Sequence, residues 1–280
     1  HKDLIGSTEI SFTSQINTKV DTLFLCLGHG NSTTFLENNN FSKNTKIIDL
    51  SNDFRLFADK KFEGKDFVYG LPELDKTVIK TAKYIANPGC FATALQLAIL
   101  PLAAKGLLNN DIHINAVTGA TGAGTSLSAT THFTYRDNNF SHYKAFNHQH
   151  LGEINQTVNQ LQANFNAEIN FIPNRGNFSR GIFATTYTKY DGSLDDAIKI
   201  YKEYYKDAAF TFVSDEEIHL KQVVNTNKCL IHLAKHGTKL LITSTIDNLL
   251  KGASGQAIQN LNLMYGFEET LGLNLKASYF

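Results

Sequence analysis

Short apolar runs alternate with polar and helical segments in the first third of the chain. The runs at residues 23–27, 45–51 and 83–87 are typical of buried strands, and residues 32–38 predict a short helix between the first two. A stretch of good helix formers then extends from residue 90 to residue 100. Strands joined by helical connectors are typical of a parallel sheet with crossover connections. This part is therefore predicted to be an α/β unit.

The pattern changes after residue 110, where longer strand-like runs dominate. Strands are predicted at residues 112–117, 167–172, 181–188, 228–233 and 239–246. Helical periodicity covers residues 152–165 and 194–205, and a last helix with small residues on one side is predicted over residues 252–264. This arrangement favours a mixed, mostly antiparallel sheet with helices on one face, which is an α+β architecture.

The composition is that of an ordinary globular protein. Of 280 residues, 42% are hydrophobic and 19% are charged, which suggests one large or two moderate domains. The 26 basic and 26 acidic side chains give a formal net charge of zero. This balance does not favour nucleic acid or an anionic membrane as a partner, and no apolar run is long enough to span a bilayer.

The number and spacing of the cysteines indicate a reducing compartment, and one of them, Cys90, lies at a predicted helix start. Cys26, Cys90 and Cys229 are odd in number and widely separated, so we expect free thiols and a cytoplasmic location. Cys90 follows Pro88 and Gly89 and begins the predicted helix, where free N–H groups and the helix dipole favour a thiolate. A thiolate is a nucleophile for covalent catalysis. A small buried residue at a helix start is the alternative.

A second cluster combines two histidines with a carboxylate. His148, His150 and Glu153 lie within six positions of one another. Two histidines one residue apart on a strand point to one face and could hold zinc or iron. An imidazole beside a cysteine could instead take up the thiol proton and deliver a proton to a substrate oxygen. We favour this acid–base interpretation because no further cluster completes a metal site; solvated surface histidines are the third alternative.

Two further segments have the chemistry of anion or cofactor sites. Arg175 and Arg180 lie in a loop with Gly and Ser before a strand, and guanidinium groups bind phosphate and carboxylate bidentately. Solvated loop arginines are the alternative. The small residues that follow Asp247 and Asn248 offer open N–H groups at a helix start to an anion or a cofactor amide. Tight helix packing explains these small residues equally well.

Taken in order, these motifs resemble those of the N-acetyl-γ-glutamyl-phosphate reductase family. The matching stretches are residues 27–30, 48–55, 69–74, 86–90, 121–124, 148–153, 180–182 and 247–253. Each stretch alone is weakly specific. The ordered set covers nearly the whole chain and is highly specific.

The resemblance implies an α/β plus α+β fold in two domains. Residues 1–89 and 252–280 would form a Rossmann-type NADP domain, and residues 90–251 a glyceraldehyde-3-phosphate-dehydrogenase-like domain for catalysis and oligomerisation. Family members open with a strand and a Gly-rich turn that cradles the cofactor pyrophosphate. This sequence does not show that segment, so the N-terminal part of the NADP domain is represented here only in part. If the segment is truly missing from the protein, NADP binding should be badly weakened.

The resemblance also implies catalytic roles. Cys90 would attack the acyl phosphate and expel inorganic phosphate, and the thioester would take a hydride from NADPH and collapse to the semialdehyde. His148 would be the acid–base partner, while His150 and Glu153 would orient substrate or support His148. Arg180 would hold phosphate or the α-carboxylate. The N–H of Cys90 and the imidazolium would donate to the oxyanion.

The implied cofactor is NADP, and no metal is implied. The cofactor-binding residues would be Gly28, His29, Gly30, Gly122, Asn248, Lys251 and Gly252. The partners would be a small-molecule substrate, an N-acylglutamyl phosphate, together with phosphate, and further copies of the chain in a homo-oligomer, either a dimer or a tetramer. Many family members carry arginine directly after the Gly-Ala-Gly loop, where this chain has Thr125. An N-succinyl substrate therefore stays open beside the N-acetyl one.

Three other interpretations remain open at this point. An aspartate-semialdehyde dehydrogenase-like enzyme shares the thiol chemistry, but the His148-Gln149-His150 segment followed by Glu153 argues against it. A metal-dependent hydrolase would use His148, His150 and Glu153 as ligands and would be sensitive to chelators. A truncated relative that serves as a binding module would fold without nucleotide affinity and with an unreactive Cys90.

Overall fold

The computed structural model describes residues 4–124 and 126–279. Thr125, and the substrate expectation attached to it, therefore lie outside the described residues. Two main sheets of different type and size organise this part of the chain. Within the described ranges, no helix combines the length and the apolar character that crossing a membrane requires.

The first sheet is small and parallel. Its elements and their neighbours, in chain order, are β1 (Thr22–Leu25), α1 (Ser32–Asn38), β2 (Lys46–Asp49), β3 (Lys61–Phe62), β4 (Lys65–Asp66), β5 (Val68–Tyr69), α2 (Pro72–Thr81) and β6 (Tyr84–Ala86). The parallel strands lie in the order β1-β2-β6-β5, and β3 and β4 form a separate hairpin. Ile47 and Ile48 in β2 enter two different apolar clusters. The sheet is therefore covered on both faces, as parallel sheets generally are.

One buried helix, α3 (Cys90–Ala104), forms the centre of the molecule. Every residue from Phe91 to Ala103 is buried, as expected for a helix that is apolar on all sides. Pro101 lies inside the helix without ending it. Gly106 follows the helix with a φ of 68° and confirms the predicted stop.

The second sheet is larger and mostly antiparallel. Its elements and the helices beside it are β7 (Ile112–Thr118), α4 (Phe133–Arg136), β8 (Ser141–His142), α5 (His150–Leu161), β9 (Ile169–Arg175), β10 (Ile182–Lys189), α6 (Leu194–Tyr204), β11 (Thr211–Ser214), β12 (Cys229–His236) and β13 (Lys239–Ile246). The strands lie in the order β11-β12-β13-β10-β7-β9-β8, with β7–β9 and β11–β12 as parallel pairs. Helices α5 and α6 pack against this sheet, as the sequence predicts, and α3 from the first part of the chain packs against it as well.

The last helix begins later than the sequence predicts. Leu250–Ser254 form a π-helical turn, and α7 (Gly255–Tyr265) follows it. The cause is Asp247, whose carboxylate accepts two backbone N–H groups of the turn and whose carbonyl accepts the N–H of Gly252, five residues later. Helix α7 then packs against α2, so the chain returns to the first sheet.

His148 and His150 do not lie on a strand, so the strand geometry predicted for a metal site is wrong. Helix α5 begins at His150, two residues before the predicted start at Gly152. The reason is local, because the carbonyl of His148 accepts the N–H of Leu151 at 2.9 Å and thereby starts the helical turn. The two rings consequently belong to a helix start and not to one face of a sheet.

Candidate active site

A cavity of about 470 Å³ lies where the two sheets meet the π-helical turn, which is called the final turn below. Its wall combines the turn after β1, the loop before α3, residues 118–124, residues 143–150 and the π-helical turn. The volume is within the range of small-molecule sites. Segments that the sequence singled out separately therefore surround one space.

Cys90 occupies the first position of α3 and lines this cavity. Burial raises the pKa of the thiol to about 11 and outweighs the N–H groups of Phe91 and Cys90, which favour the thiolate. The group is therefore a neutral thiol, in contrast to the thiolate that the helix start alone predicts. Attack on a substrate requires that the thiol proton leave as the new bond forms.

Two glycines allow close packing around Cys90. A Cβ at Gly89 would collide with the ring of His150, and a Cβ at Gly252 would lie 2.7 Å from the Cβ of Cys90. Side chains at these positions would force the reactive residue to move. His150 therefore lies against the residue before Cys90, and the π-helical turn lies against Cys90 itself.

The two histidines are neutral at physiological pH. Burial lowers the pKa of His148 and of His150 to about 3, and the charge of Lys144 acts in the same direction on both. The ring centroids are 4.7 Å apart. Nδ1 of His148 accepts the N–H of His150 at 3.2 Å, which leaves the proton of the neutral His148 ring on Nε2. His148 thus lines the cavity as a hydrogen-bond donor.

Glu153 lies behind the cavity wall and accepts three hydrogen bonds. Its carboxylate is 2.7 Å from the hydroxyl of Tyr69, 3.0 Å from the N–H of Gly89 and 3.2 Å from Nη1 of Arg55. The Nε2 of His150 is farther away, at 3.9 Å. The carboxylate therefore fixes the turn before α3 in place.

The structure separates the two candidate arginines. Arg180 pairs with the fully buried Asp247, with Nη2 3.0 Å from Oδ2, and does not line the cavity. Arg175 ends β9 and does line it. The ion pair thus uses Arg180 to hold the residues before the π-helical turn, and Arg175 is the one of these two arginines that lines the cavity.

Among the residues that the resemblance implies for the cofactor, His29, Gly122, Asn248 and Gly252 line the cavity. The side chain of Asn248 is already fixed, because its Oδ1 accepts the N–H of Gly181 at 2.6 Å. These residues come from the first sheet, the loop after β7 and the final turn. The structure therefore brings them together beside Cys90.

The remaining cofactor candidates do not line the cavity. Gly28 and Gly30 shape the turn after β1 with φ values of 81° and 80°, and the N–H of Gly30 donates to Asp53 at 2.7 Å. Lys251 is fully buried, and its Nζ lies 2.8 Å from Oε1 of Glu73. Lys251 thus fastens the final turn to α2 and has no access to a ligand.

The wall beside Cys90 fits the reactive end of a nicotinamide dinucleotide. Gly252 and Gly122 leave space where a side chain would contact Cys90 or Thr118. The hydroxyl of Thr118 is buried and has no hydrogen-bond partner among the described residues, which suits a polar group of a ligand. Parallel sheets also bind dinucleotides at the carboxyl ends of their strands, where the turn after β1 lies.

Sequence reasoning missed several contributors to the wall. Arg55, Tyr143 and Lys144 all line the cavity. Arg55 lies in the stretch 48–55 that carried the resemblance, so a signal for it was present. Tyr143 and Lys144 belong to no recognisable motif, and only the fold brings them to the site.

A metal site has no support in the geometry. Across residues 4–124 and 126–279, no three His, Cys, Asp or Glu side chains are grouped as metal ligands would be. Glu153, the carboxylate of the predicted ligand set, is already bonded to Arg55, Tyr69 and Gly89.

Two family models match this chain. Residues 1–82 match the semialdehyde dehydrogenase NAD binding domain, and residues 90–248 match the semialdehyde dehydrogenase dimerisation domain. Proteins named N-acetyl-gamma-glutamyl-phosphate reductase from Christiangramia forsetii and Flavobacterium johnsoniae are 70% and 63% identical over 280 residues. Each alignment covers 100% of this chain and 86% of the relative.

Solved structures of lower identity share the fold. Aspartate semialdehyde dehydrogenase II from Vibrio cholerae has a TM-score of 0.65 at 14% identity, over 89% of this chain and 81% of that chain. Aspartate semialdehyde dehydrogenase from Francisella tularensis has a TM-score of 0.62 at 16% identity, over 89% of this chain and 82% of that chain. With the two domain models, these structures confirm the predicted α/β plus α+β architecture.

Proposed function

Because the chain belongs to the N-acetyl-gamma-glutamyl-phosphate reductase family, we propose that Cys90 and His148 carry out its reaction in the cavity described above. The chain is an NADP-dependent reductase that converts N-acetyl-γ-glutamyl phosphate to N-acetylglutamate 5-semialdehyde and phosphate, a step of arginine biosynthesis. The observation that supports the residue assignment is the sharing of one cavity by a helix-start thiol and a neutral imidazole.

The first step forms the thioester. The Sγ of Cys90 bonds to the acyl carbon, the bond from that carbon to the phosphate oxygen breaks, and phosphate leaves with the electron pair. The thiol proton leaves at the same time, because burial keeps Cys90 protonated at neutral pH. A ring whose pKa is lowered to about 3 does not retain this proton. The phosphate oxygen that leaves the acyl carbon retains it, because the trianion that would otherwise depart is a far stronger base than this ring.

The second step releases the aldehyde. When bound, NADPH supplies the hydride for the thioester carbonyl carbon. Nε2–H of His148 and the N–H of Cys90 donate to the carbonyl oxygen as it gains negative charge. A proton reaches this oxygen through His148. This proton, taken from solvent, returns to His148 as the carbonyl re-forms and passes to Sγ as the C–S bond breaks, so that the semialdehyde and the Cys90 thiol are formed.

The supporting roles divide between ligand contact and positioning. We assign cofactor contacts to His29, Gly122 and Gly252, which line the cavity beside Cys90. His150 and Glu153 hold the turn that precedes Cys90, which is supported by the packing of His150 on Gly89 and by the bond from Gly89 to Glu153.

Domain limits, assembly and location complete the proposal. We place the NADP domain at residues 1–89 and 252–280 and the catalytic domain at 90–251, which the packing of α7 on α2 supports.

The match to a dimerisation domain supports a homo-oligomer, as do the exposed aromatic residues Tyr187 and Phe212 on the larger sheet. The free thiols of Cys26, Cys90 and Cys229 support a cytoplasmic location.

The reverse reaction tests the proposal. N-acetylglutamate semialdehyde, phosphate and NADP⁺ are incubated with the enzyme, and NADPH is followed by its absorbance with and without iodoacetamide. We expect iodoacetamide to abolish NADPH formation and Cys90→Ala to retain less than about one hundredth of the rate, because the nucleophile is lost. Cys26→Ala, which removes an exposed thiol outside the cavity, should keep both the activity and its sensitivity. Phosphate-dependent turnover by Cys90→Ala would contradict the proposal.

A further inference from the structure

Positive charge predominates on the wall of the active-site cavity. Arg55, Lys144 and Arg175 line it, and no Asp or Glu of the described chain does so. Arg55 is balanced by Glu153 behind the wall. Within the described ranges, neither Lys144 nor Arg175 has an ion-pair partner. These two cations therefore face the cavity without compensation.

Arg175 is held beside Tyr143, and its Nε donor is unused among the described residues. Its guanidinium carbon lies 4.8 Å from the centre of the Tyr143 ring. Burial raises the pKa of Tyr143 to about 12, so this ring stays a neutral phenol beside the guanidinium. Nε of Arg175 is buried and has no hydrogen-bond partner in the described part of the chain. A buried donor without a partner is costly, and an oxyanion in the cavity would satisfy it.

Lys144 is presented at the rim by a strained segment. Lys144 and Phe146 have φ values of 45° and 59°, which are rare for residues with a Cβ. The segment is tied to β9 on both sides of Lys144, because Tyr143 donates to the carbonyl of Pro173 and Phe146 donates to that of Phe171. Strain of this kind persists at ligand clamps when the surrounding structure enforces it. The exposed Lys144 is thereby held at the cavity.

We propose that Arg175 and Lys144 bind the α-carboxylate of the N-acylglutamyl substrate, an assignment that rests on the proposed function. The reacting acyl carbon and its phosphate must lie at Cys90, on the half-buried inner wall. The other end of the substrate then points toward the rim, where Lys144 is exposed. The planar guanidinium of Arg175 suits bidentate binding of a carboxylate that stays on both substrate and product.

The reverse reaction separates this assignment from phosphate binding, because the semialdehyde and phosphate are then independent substrates. Arg175→Gln is expected to raise KM for the semialdehyde by about 10- to 100-fold, the usual effect of losing a charge-assisted hydrogen bond. KM for phosphate should stay unchanged. Arg175→Lys, which keeps the charge without the planar fork, should restore part of the affinity, and the exposed cation Lys189 provides the control Lys189→Gln.

Binding without turnover provides a second readout that stays informative if the proposed function fails. N-acetylglutamate should protect Cys90 of the wild type from iodoacetamide and should protect Arg175→Gln much less. The analogue 4-acetamidobutanoate, which lacks the α-carboxylate, should protect both proteins equally weakly. Circular dichroism checks that the variants are folded.

The outcomes decide between the two anions and distinguish this inference from the proposed function. A raised KM for phosphate with an unchanged KM for the semialdehyde would overturn the carboxylate assignment and identify a phosphate site. Equal protection of wild type and Arg175→Gln, or no protection of either, would also overturn it. Absence of turnover by the wild type, with N-acetylglutamate protection that depends on Arg175, would reject the proposed function and support the carboxylate site.

Discussion

At the scale of single residues, Cys90 and His148 are two neutral groups on the wall of one cavity. Burial raises the pKa of the thiol to about 11 and lowers that of the imidazole to about 3. A thiolate–imidazolium pair would show the opposite shifts, because each charge would stabilise the other. Burial therefore keeps both groups uncharged at neutral pH, and the acyl phosphate supplies the driving force for loss of the thiol proton.

The neutral thiol predicts a specific pH dependence for alkylation of Cys90. Because only the thiolate reacts, the rate constant with iodoacetamide should rise about tenfold per pH unit between about pH 7 and pH 9, without levelling off. Mass spectrometry of the Cys90 peptide at timed intervals gives the rate, and the peptide of the exposed Cys26 provides a comparison thiol in the same sample. A rate that is already constant near neutral pH would show a thiolate–imidazolium pair instead.

His148 provides a second prediction at this scale. His148→Asn removes the Nε2 donor that we place at the carbonyl oxygen, so kcat should fall by about 10²- to 10⁴-fold. Steady-state rates in both directions measure the effect. His132→Asn changes an exposed histidine outside the cavity and should leave kcat unchanged. Equal kcat values for the two variants would remove His148 from the mechanism.

At the scale of elements, one buried ion pair joins the final turn to the first sheet. Nζ of Lys251 in the π-helical turn lies 2.8 Å from Oε1 of Glu73 in the first turn of α2 and 3.0 Å from Oε1 of Gln259 in α7. Glu73 also accepts the hydroxyl of Thr211 at the start of β11. The turn that presses Gly252 against Cys90 is therefore fixed by groups on three other elements.

Breaking the buried Lys251–Glu73 pair should lower the free energy of unfolding far more than breaking an ion pair near the surface. Lys251→Met leaves Glu73 charged and buried, so the free energy of unfolding should fall by about 3–5 kcal/mol. The double variant Lys251→Met/Glu73→Leu should recover most of the loss, because it replaces the pair by apolar groups. Lys76→Met, which breaks the partly exposed pair with Glu269, should cost about 1 kcal/mol or less. Urea unfolding measures all three, and equal losses for both lysine variants would be inconsistent with the role given to Lys251.

Elements with a strong local pattern could be predicted from the sequence. The helix at 32–38 and the strand at 239–246 have the predicted limits, because their apolar periodicity and flanking residues agree. The start of α5 and the π-helical turn were not predicted. The start of α5 depends on the carbonyl of His148, which accepts the N–H of Leu151. The π-helical turn depends on the carboxylate of Asp247, which accepts N–H groups of the residues that follow it. Periodicity carries no signal for such bonds.

The sequence indicated candidate site residues only where a chemically reactive residue type lies within a recognisable motif. Cys90, His148 and His150 line the cavity as residues of conspicuous type in conspicuous motifs. The resemblance implied Arg180 and not Arg175 as the substrate-binding arginine. It could not show that Arg180 pairs with Asp247, which lies 67 positions away in the chain and meets it only in the fold. The resemblance likewise implied that Lys251 touches the cofactor. In the fold it pairs with Glu73, which is 178 positions away in the chain, so the sequence carries no signal for this pair.

At the scale of the whole molecule, the distribution of charge matters more than its sum. The formal net charge is zero, so composition alone gives no indication of an anionic ligand. The fold nevertheless pairs Glu153, Asp247 and Glu73 with three cations and leaves two others on the cavity wall. The paired cations are Arg55, Arg180 and Lys251, and the two without an ion-pair partner among the described residues are Lys144 and Arg175. An anionic substrate is thereby attracted to one place on a neutral protein.

The two buried neutral histidines also predict how stability of the whole molecule depends on pH. The pKa of His148 and of His150 is lowered from 6.5 to about 3 in the folded state, so below pH 6.5 the unfolded chain binds protons that the native state does not. The stability that these rings contribute is therefore fully present above pH 6.5 and is lost as the pH falls toward 3. Each ring should lower the free energy of unfolding by about 1.4 kcal/mol per pH unit near pH 5 as the pH falls.

Asp49 acts in the opposite direction, because burial raises the pKa of its carboxyl. The effect of the histidines is isolated by comparing urea unfolding of wild type and His148→Asn across this range, since Asp49 contributes equally to both. The variant should show a slope smaller by about 1.4 kcal/mol per pH unit, and identical slopes would mean that His148 is already protonated in the native state.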